Sequence, residues 1–580
     1  MSKVPSEILD RARLWTTDMF DGETRHKVRE MIENDPDALA DSFYRDLEFG
    51  TGGLRGIMGV GTNRMNRYTV GMATQGLADY LKRSFSGSKE IKVAVAHDSR
   101  INSDYFTSVT AEVLTANGIG VYVFDALRPV PLLSYAVREL GCQAGIVITA
   151  SHNPVEYNGY KVYWEDGGQL VPPHDINITE MVRKTRVSDI RFGKADELIS
   201  VLDSSFDDIY LERIRSLSLS PEAIERQKDL RIVFSPIHGS TVRLVPEGLR
   251  MFGFSHVFNV PEQDAVDGNF PTVKSPNPED PAAFEMALEK ARETDAELVM
   301  ASDPDGDRVG AAVKDSNGDY ILLNGNQVAA ILTKYILGRL KEEGRLKGNE
   351  FIVKTIVTTG LLDEIAADHG VECFNVLTGF KYIAEKIRLL EGKKKFICGG
   401  EESYGFLVGD FVRDKDAVIT CCMIAEAAAW AKDRGMSLYG FLTDIYREYR
   451  LYVETLMSVT RKGMKGAEEI SKIMEKFRSN PPEMVDGKTL ARVIDYQLGI
   501  DKDLYMGEEY IIDLPQSNVL QFILEDGSSI TMRPSGTEPK IKFYFGCNTG
   551  LENISDYTNK RKELLGRIEN IKKDLGLTPT

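Results

Sequence analysis

The sequence predicts an α/β protein: three related mixed α/β domains in a row, followed by a smaller C-terminal α+β domain. Three observations carry this. From Ile91 onward, short β-branched runs alternate with longer amphipathic segments, the signature of strands and helices taking turns. Three successive β-α-β-α-β units each end their last strand in a polar motif, at Thr149-Ala150-Ser151-His152-Asn153-Pro154, at Asp303-Pro304-Asp305-Gly306-Asp307-Arg308 and at Gly399-Gly400-Glu401-Glu402-Ser403-Tyr404-Gly405. Beyond residue 455 the alternation gives way to a hairpin, a proline-bracketed loop and a charged terminal helix. A chain of 580 residues and 64.8 kDa exceeds what one hydrophobic core organises, which fits several domains.

Taken in order, residues 1–208 form the first predicted domain. Helices are expected over Pro5 to Trp15, Thr24 to Ile32 and Asp37 to Leu47. The glycine-rich run Phe49-Gly50-Thr51-Gly52-Gly53-Leu54-Arg55-Gly56 follows, continuing through Gly59, Gly61, Asn63, Arg64, Asn66 and Arg67. Strands Ile91 to Ala96, Val121 to Phe124 and Gly145 to Thr149 then alternate with helices Tyr105 to Asn117 and Pro131 to Leu140. The second domain, 209–325, repeats the pattern with strands Leu230 to Phe234, Val257 to Val260 and Glu297 to Ala301 and helices Thr241 to Phe252 and Pro281 to Arg292. The third, 326–455, has strands Phe351 to Thr358, Val371 to Val376 and Phe396 to Cys398, helices near Leu361 to Asp368 and Lys381 to Leu389, and further helices Ala417 to Asp433 and Phe441 to Tyr449. The fourth, 456–580, has a hairpin of Asn518 to Leu524 with Ser529 to Arg533, a strand Lys540 to Gly546 and a helix from Asn553 to Leu575.

Composition narrows the function. With 42% hydrophobic and 27% charged residues the chain is an ordinary globular protein, and a formal net charge of -17 argues against broad affinity for nucleic acid or anionic membrane. The six cysteines form no C-x-x-C pair and sit mostly in apolar runs, so buried reduced thiols are expected. A polar start and the lack of any apolar run of about eighteen residues make the cytoplasm the default.

The motifs suggest phosphate chemistry. Ser151 follows a buried-strand pattern at the position where open α/β sheets place their chemistry, which makes it a nucleophile candidate; the same residue types also suit a plain turn or cap. Glycines around Arg55 let backbone N–H groups approach an anion, or form a mobile loop. Asp303, Asp305 and Asp307 alternate so that a curled loop turns three carboxylates toward one hard cation, Mg²⁺ above others, with a solvated acidic turn as the alternative. A calcium loop is ruled out, because Arg308 and Lys314 stand where it needs Gly and Glu. Arg308 is placed to contact a phosphoryl oxygen. Glu401 and Glu402 beside Ser403 suit sugar hydroxyls, or a helix start. The loop Arg533-Pro534-Ser535-Gly536-Thr537-Glu538-Pro539 offers a guanidinium, hydroxyls and backbone donors to phosphate, or is a tight turn. For His152 and His238 the choice is between a reacting group and a hydrogen bond to nearby backbone. Lys161 lies near enough in sequence to return to Ser151.

These four motifs, in this order, resemble the signatures of the α-D-phosphohexomutases, and the resemblance runs from about Gly50 to Gly546. The run Gly50 to Asn66 is further similar to the branch that holds phosphoglucomutases of the second type, phosphopentomutases and glucose-1,6-bisphosphate synthases. The resemblance implies a heart-shaped arrangement of three α/β domains and a movable fourth around a central active-site cleft. It implies phosphoserine at Ser151; one Mg²⁺ held by Asp303, Asp305, Asp307 and a phosphoserine oxygen; and sugar hydroxyls gripped by Glu401 and Ser403. It also implies that Arg533, Ser535, Gly536 and Thr537 hold the phosphate that stays in place. Arg55, Lys161 and Arg308 are implied near the transferring phosphoryl, with Lys161 or His152 moving the proton, since Tyr404-Gly405 stands where some members carry a histidine. The implied activity is interconversion of glucose 1-phosphate and glucose 6-phosphate with glucose 1,6-bisphosphate as activator, an isomerase of glucose metabolism. Pentose phosphates are the main alternative, then mannose phosphates or bisphosphate synthesis alone. A small phosphosugar is the expected partner, and a monomer or weak homodimer the expected state.

Overall fold

A computed structural model describes residues 4–50, 52–461, 463–535 and 540–577. The chain divides into two compact units, each assembled from segments distant in sequence: residues 1–325, 380–398 and 403–434 make the first, and residues 326–379, 399–402 and 435–580 the second.

The first unit contains two sheets built on one plan. In the six-stranded sheet, strands run in the order Gly53–Ile57, Tyr157–Trp164, Ala144–Ile148, Lys92–His97, Gly120–Phe124 and Ile199–Leu202. The last four are mutually parallel, and Tyr157–Trp164 returns antiparallel to Ala144–Ile148. In the five-stranded sheet, Val257–Asn259, Ile232–Ser235 and Leu298–Ser302 are parallel and Val309–Lys314 returns antiparallel. In both, a polar motif fills the turn between a central parallel strand and its antiparallel return. All five residues of Ala144–Ile148 are buried; burying one Val or Ile side chain stabilises by roughly 1.5–3 kcal/mol, which fixes where the turn emerges.

The return strand Tyr157–Trp164 and the helix Arg67–Ser84 are additions to the expected pattern. The expected glycine-rich loop is partly strand: Gly53–Ile57 pairs with Tyr157–Trp164, with Arg55 opposite Gly159. The three N-terminal helices are present, with the third ending earlier than expected, as Pro36–Phe43. They close over a small aromatic core in which Trp15 stacks on Phe20 at 4.5 Å and meets Phe43 and Tyr68 edge-on.

In the second unit, Glu350–Thr355 pairs in parallel with Glu372–Val376 across the helix Leu361–Asp368, a right-sized β-α-β step. The C-terminal part is a sheet in the order Leu451–Thr460, Lys540–Thr549, Ser529–Pro534, Leu520–Leu524, Lys488–Asp495, Ile500–Asp503, Glu509–Ile511, covered by helices Gly463–Ser479 and Tyr557–Asp574. Its central hairpin, the neighbouring strand Lys540–Thr549 and the terminal helix were legible in advance; the remaining strands were not, because they carry many charged residues and lack clear alternation. The six cysteines are free thiols and, Cys373 apart, buried. Among the described residues no helix is long and apolar enough to cross a membrane.

Candidate functional site

Strand register assembles the serine loop. Val147 lies opposite Lys161 across the Ala144–Ile148 pairing, so the return strand carries Lys161 back beside the turn that holds Ser151. Ser151 adopts φ 52°, in the left-handed region that a non-glycine residue occupies only when its surroundings demand it. Its N–H donates to Thr149 Oγ1 at 2.8 Å, its Oγ donates to Asp303 Oδ2 at 2.9 Å, and His152 Nδ1 stands 3.1 Å from that Oγ. The turn reading is therefore correct for the backbone, yet the hydroxyl points at a carboxylate rather than capping a helix.

What enforces the turn is Arg100, which the sequence reading did not single out. Its buried guanidinium donates to the carbonyls of Ser151 (3.1 and 2.6 Å), Pro154 (2.9 Å) and Tyr157 (3.0 Å), and also to that of Asn153. Asp98 orients Arg100 in turn, accepting from its N–H at 2.9 Å and from Ser103 Oγ at 2.8 Å. Both follow the strand Lys92–His97, at the same sheet edge as Ser151, and that position was the available signal.

The aspartate loop is held from three sides. Pro304 O accepts from both N and Oγ of Ser240 at 2.8 Å; Asp305 O accepts from Val130 N at 2.9 Å; Gly306 O accepts from Ala417 N at 3.1 Å. Val130 and Ala417 are the first residues of the helices Val130–Glu139 and Ala417–Asp433, so two helix N-termini, with their partial positive charge, face this acidic loop. Asp303 Oδ1 accepts from the N–H groups of Asp307 (3.1 Å) and Arg308 (3.0 Å), which curls the loop inward.

Asp303, Asp305 and Asp307 are all buried, and one oxygen from each lies within 4.8 Å of the others. Lys161 Nζ is 2.7 Å from Asp305 Oδ2 and 3.8 Å from Asp307 Oδ2, and Lys415 Nζ is 3.1 Å from Asp307 Oδ2. Burial and its two carboxylate neighbours push Asp303 well above the usual range, whereas for Asp305 burial pulls upward but Lys161, Asp303 and Lys415 together outweigh it and the net shift is downward. Burial lowers Lys161, but Asp305 and Asp307 outweigh it and hold the ammonium charged. Burial, and then Arg308, push His152 down to about 3.

Two lysines do not exhaust the carboxylates. Oδ1 of Asp305 and Oδ1 of Asp307 are buried and accept no hydrogen bond among the described residues. Three hard oxygen donors at this spacing, two with unused buried lone pairs, fit a small divalent cation such as Mg²⁺.

Around this centre, Arg55 donates to Asn153 Oδ1 at 3.1 Å, so the glycine-rich segment reaches the serine loop as expected. Arg308 bonds Glu279, and its Nε lies 3.8 Å from Asp307 Oδ1. The loop after Ser403 also arrives here, with Val309 N donating to Tyr404 O at 2.9 Å. Lys415 was missed by the sequence reading. It is held by Asp414 at 2.9 Å, and Asp414 accepts in turn from Tyr163 Oη at 2.8 Å and Gln169 Nε2 at 2.7 Å. Four charged residues in a row, Arg413-Asp414-Lys415-Asp416, before a buried helix were the overlooked signal.

The second unit carries Glu401, Glu402, Arg533 and Ser535. Glu401 is buried and its Oε1 accepts from Gly379 N at 3.0 Å. Glu402 accepts from Thr355 Oγ1 at 3.3 Å and Thr358 Oγ1 at 3.5 Å; burial, and then Glu401, push it up to about 7. The chain after Glu402 turns into a short strand, Phe406–Val408, so these glutamates do not start a helix. Arg533 sits near the end of Ser529–Pro534, opposite Lys542, and Ser535 N donates to Lys540 O at 2.7 Å, closing the base of the loop. Gly536 and Thr537 lie outside the described residues.

Four family models match the chain in order: phosphoglucomutase/phosphomannomutase alpha/beta/alpha domains I, II and III over residues 46–188, 208–318 and 324–449, and the C-terminal domain of the same family over residues 459–555. The chain belongs to the phosphoglucomutase/phosphomannomutase family. Within that family, it is 36% identical over 519 residues to a phosphoglucomutase of Staphylococcus haemolyticus, covering 88% of this chain and 92% of the relative. It is 38% identical over 525 residues to the phosphoglucomutase of a bovine strain of Staphylococcus aureus, covering 90% and 92%. The fold is shared with solved members of the phosphoglucomutase/phosphomannomutase family. A family protein from Burkholderia thailandensis has TM-score 0.64 at 19% identity, covering 92% of this chain and 98% of that one. The open form of parafusin, a phosphoglucomutase of Paramecium, has TM-score 0.63 at 15% identity, covering 91% and 96%.

Proposed function

We propose that this protein interconverts α-D-glucose 1-phosphate and glucose 6-phosphate, carrying the phosphoryl group on Ser151. The observation that supports this most is the 2.9 Å bond from Ser151 Oγ to Asp303, which sets the one strained serine of the loop against a three-carboxylate cation site. Phosphoserine 151 gives its phosphoryl to O6 of glucose 1-phosphate: the Oγ–P bond breaks, the O6–P bond forms, and the hydroxyl proton of O6 passes by way of the neutral His152 imidazole to Ser151 Oγ, because the Lys161 ammonium that Asp305 and Asp307 keep charged has no lone pair to take it. The resulting glucose 1,6-bisphosphate turns over, its O1–P bond breaks as the Oγ–P bond re-forms, the proton of Ser151 Oγ passes to O1, and glucose 6-phosphate is released.

The roles divide by position. Asp303, Asp305 and Asp307, with a phosphoserine oxygen, would hold one Mg²⁺, which supplies Lewis-acid stabilisation of charge on the transferring phosphoryl. Lys161, Lys415, Arg55 and Arg308 add fixed positive charge around the same oxygens. Arg100 keeps the serine loop in its strained turn. Glu401 and Ser403 are assigned to sugar hydroxyls, and Arg533, Ser535, Gly536 and Thr537 to the phosphate that is not transferred. In this reading the domains 1–208, 209–325, 326–455 and 456–580 supply, in turn, phosphoserine, metal, sugar and phosphate groups, with glucose 1,6-bisphosphate as activator that primes Ser151.

The test is a coupled assay of glucose 1-phosphate conversion, primed with glucose 1,6-bisphosphate, beside mannose 1-phosphate and ribose 1-phosphate, with and without chelator. Glucose turnover that exceeds the other two and stops with chelator supports the proposal. Faster turnover of ribose 1-phosphate would keep the Ser151 mechanism and replace the substrate.

A further inference from the structure

The turn Ser235-Pro236-Ile237-His238-Gly239 stands at the end of the strand Ile232–Ser235 and takes no part in the chemistry above. Its backbone is strained: Ile237 has φ 46° and His238 φ 62°, two successive side-chain-bearing residues in the left-handed region, the first of them β-branched. Something must hold it there, and His238 does. Its Nδ1 lies 2.7 Å from Ala265 O and its Nε2 2.8 Å from Thr272 Oγ1. A carbonyl only accepts, so Nδ1 carries the proton and Nε2 accepts from the Thr272 hydroxyl, which itself accepts from Gln263 Nε2 at 3.2 Å. His238 N also donates to Gln263 O at 2.8 Å, and Ser235 Oγ donates to Gln263 Oε1 at 2.6 Å. The turn and the segment 263–272 are thus one hydrogen-bonded piece.

That piece touches both halves of the site. On one side, a Cβ at Gly239 would stand 2.6 Å from Pro304 Cα, and the next residue, Ser240, makes the two bonds to Pro304 O that hold the aspartate loop. On the other side, Phe270, itself at φ 48° and buried, lies beneath the Arg100 guanidinium at 5.2 Å, and a Cβ at Gly268 would stand 2.5 Å from Ile101 N. Arg100 is the group that folds the serine loop, and Ser275 Oγ donates to His152 O at 3.4 Å a little further on.

We infer that His238 is a positioning residue that registers the serine loop against the aspartate loop, through Gly239 and Ser240 to Pro304 and through Phe270 to Arg100. The inference rests on the reading of Ser151 as phosphoryl carrier beside a metal at Asp303, Asp305 and Asp307. The two arms make it specific: breaking the hub disturbs both loops, and breaking only the Phe270 arm disturbs only the serine.

The experiment uses full-length protein carrying His238→Leu, His238→Asn or Phe270→Leu. Three quantities are measured: Mg²⁺ affinity by calorimetry without sugar, the single-turnover rate of Ser151 phosphorylation by glucose 1,6-bisphosphate, and KM for glucose 1-phosphate. For H238L we expect Mg²⁺ affinity to fall about fivefold or more and phosphorylation to slow about tenfold or more, with KM within about twofold, because misplacement weakens transition-state contacts before ground-state ones. F270L should slow phosphorylation by a similar factor and leave Mg²⁺ affinity unchanged. H238N keeps a donor toward Ala265 O and tolerates the left-handed backbone, so it should recover to within about threefold of wild type on both measures. Wild-type Mg²⁺ affinity and phosphorylation rate in folded H238L would overturn the inference, as would a wild-type rate in F270L should H238L fail to fold. Failure of wild-type protein to take a phosphoryl group would instead remove the function on which the inference rests.

Discussion

Gly405 lies directly against the side chain of Lys415: a Cβ built on Gly405 would stand 2.0 Å from Lys415 Cδ. The lysine reaches Asp307 across this glycine, at 3.1 Å, and its route leaves no space for a side chain at 405. Replacing Gly405 with alanine should therefore move the Lys415 ammonium off Asp307. We expect kcat to fall about 10- to 100-fold with KM little changed, since a displacement near 1 Å costs that much when the group acts on the transferring phosphoryl. Steady-state kinetics of G405A check this, and a rise in KM at constant kcat would assign the glycine to substrate binding instead.

Removing the Lys415 charge should be worse than misplacing it. Asp307 and Asp414 would share a buried region without the ammonium that now sits 3.1 and 2.9 Å from them. Breaking one partner of such a group costs about 3–5 kcal/mol. Lys415→Met is expected to lower the urea midpoint accordingly, and added Mg²⁺ should restore part of the loss if the aspartates hold a cation.

Asp305→Asn addresses the metal itself. The substitution removes one of three converging carboxylates and leaves Lys161, now 2.7 Å from Asp305, without its nearest partner. Mg²⁺ binding measured by calorimetry should disappear, and kcat should fall at least about 100-fold, in keeping with the several kcal/mol that a cation contributes to charge stabilisation. Undiminished Mg²⁺ binding by D305N would place the cation elsewhere.

Glu454 gives a pH-dependent test of the second unit. It is half-buried on the strand Leu451–Thr460, its Oε1 is shielded from solvent and accepts no hydrogen bond among the described residues, and desolvation, offset in part by Thr359 and Asn326, pushes it up from 4.5 to about 7. A folded value above the unfolded one means that the neutral carboxyl is the stabilising form. Its contribution is complete below pH 4.5 and is lost as pH rises through about 7. E454Q stays neutral, so its stability relative to wild type should grow across that window by on the order of 2–3 kcal/mol. Urea titrations at both ends decide it; a constant difference would mean that Glu454 is ionised throughout.

These sites show what a sequence discloses and what it conceals. Ser151 and the three aspartates were legible because each stands in a turn after a recognisable apolar strand, Arg533 because it closes such a strand before a proline-bracketed loop, and all of them because their residue types imply one chemistry. Lys161 was legible only as nearness in sequence; its placement depends on an antiparallel return strand whose register puts it opposite Val147. Arg100 and Lys415 were hidden because their work is done across distances in sequence, on carbonyls around Ser151 and on Asp307. His238 was seen as a choice between a reacting group and a backbone bond. It makes the backbone bond, to Ala265, and its importance lies in what that bond holds together. The C-terminal sheet was mostly illegible, since strands such as Ile500–Asp503 and Glu509–Ile511 sit at an exposed edge and carry charge where a buried strand would carry apolar residues.

Ser151 is the proposed phosphoryl carrier, and phosphoryl transfer to that residue is the most direct test of that role. Protein incubated with Mg²⁺ and glucose 1,6-bisphosphate labelled in its phosphoryl groups should take up label on the peptide containing Ser151. Added glucose 1-phosphate should chase that label into hexose phosphate at the rate of turnover, and Ser151→Ala should take up none while keeping its fold. Label on another residue, or full mutase turnover by the Ser151→Ala protein, would contradict the account.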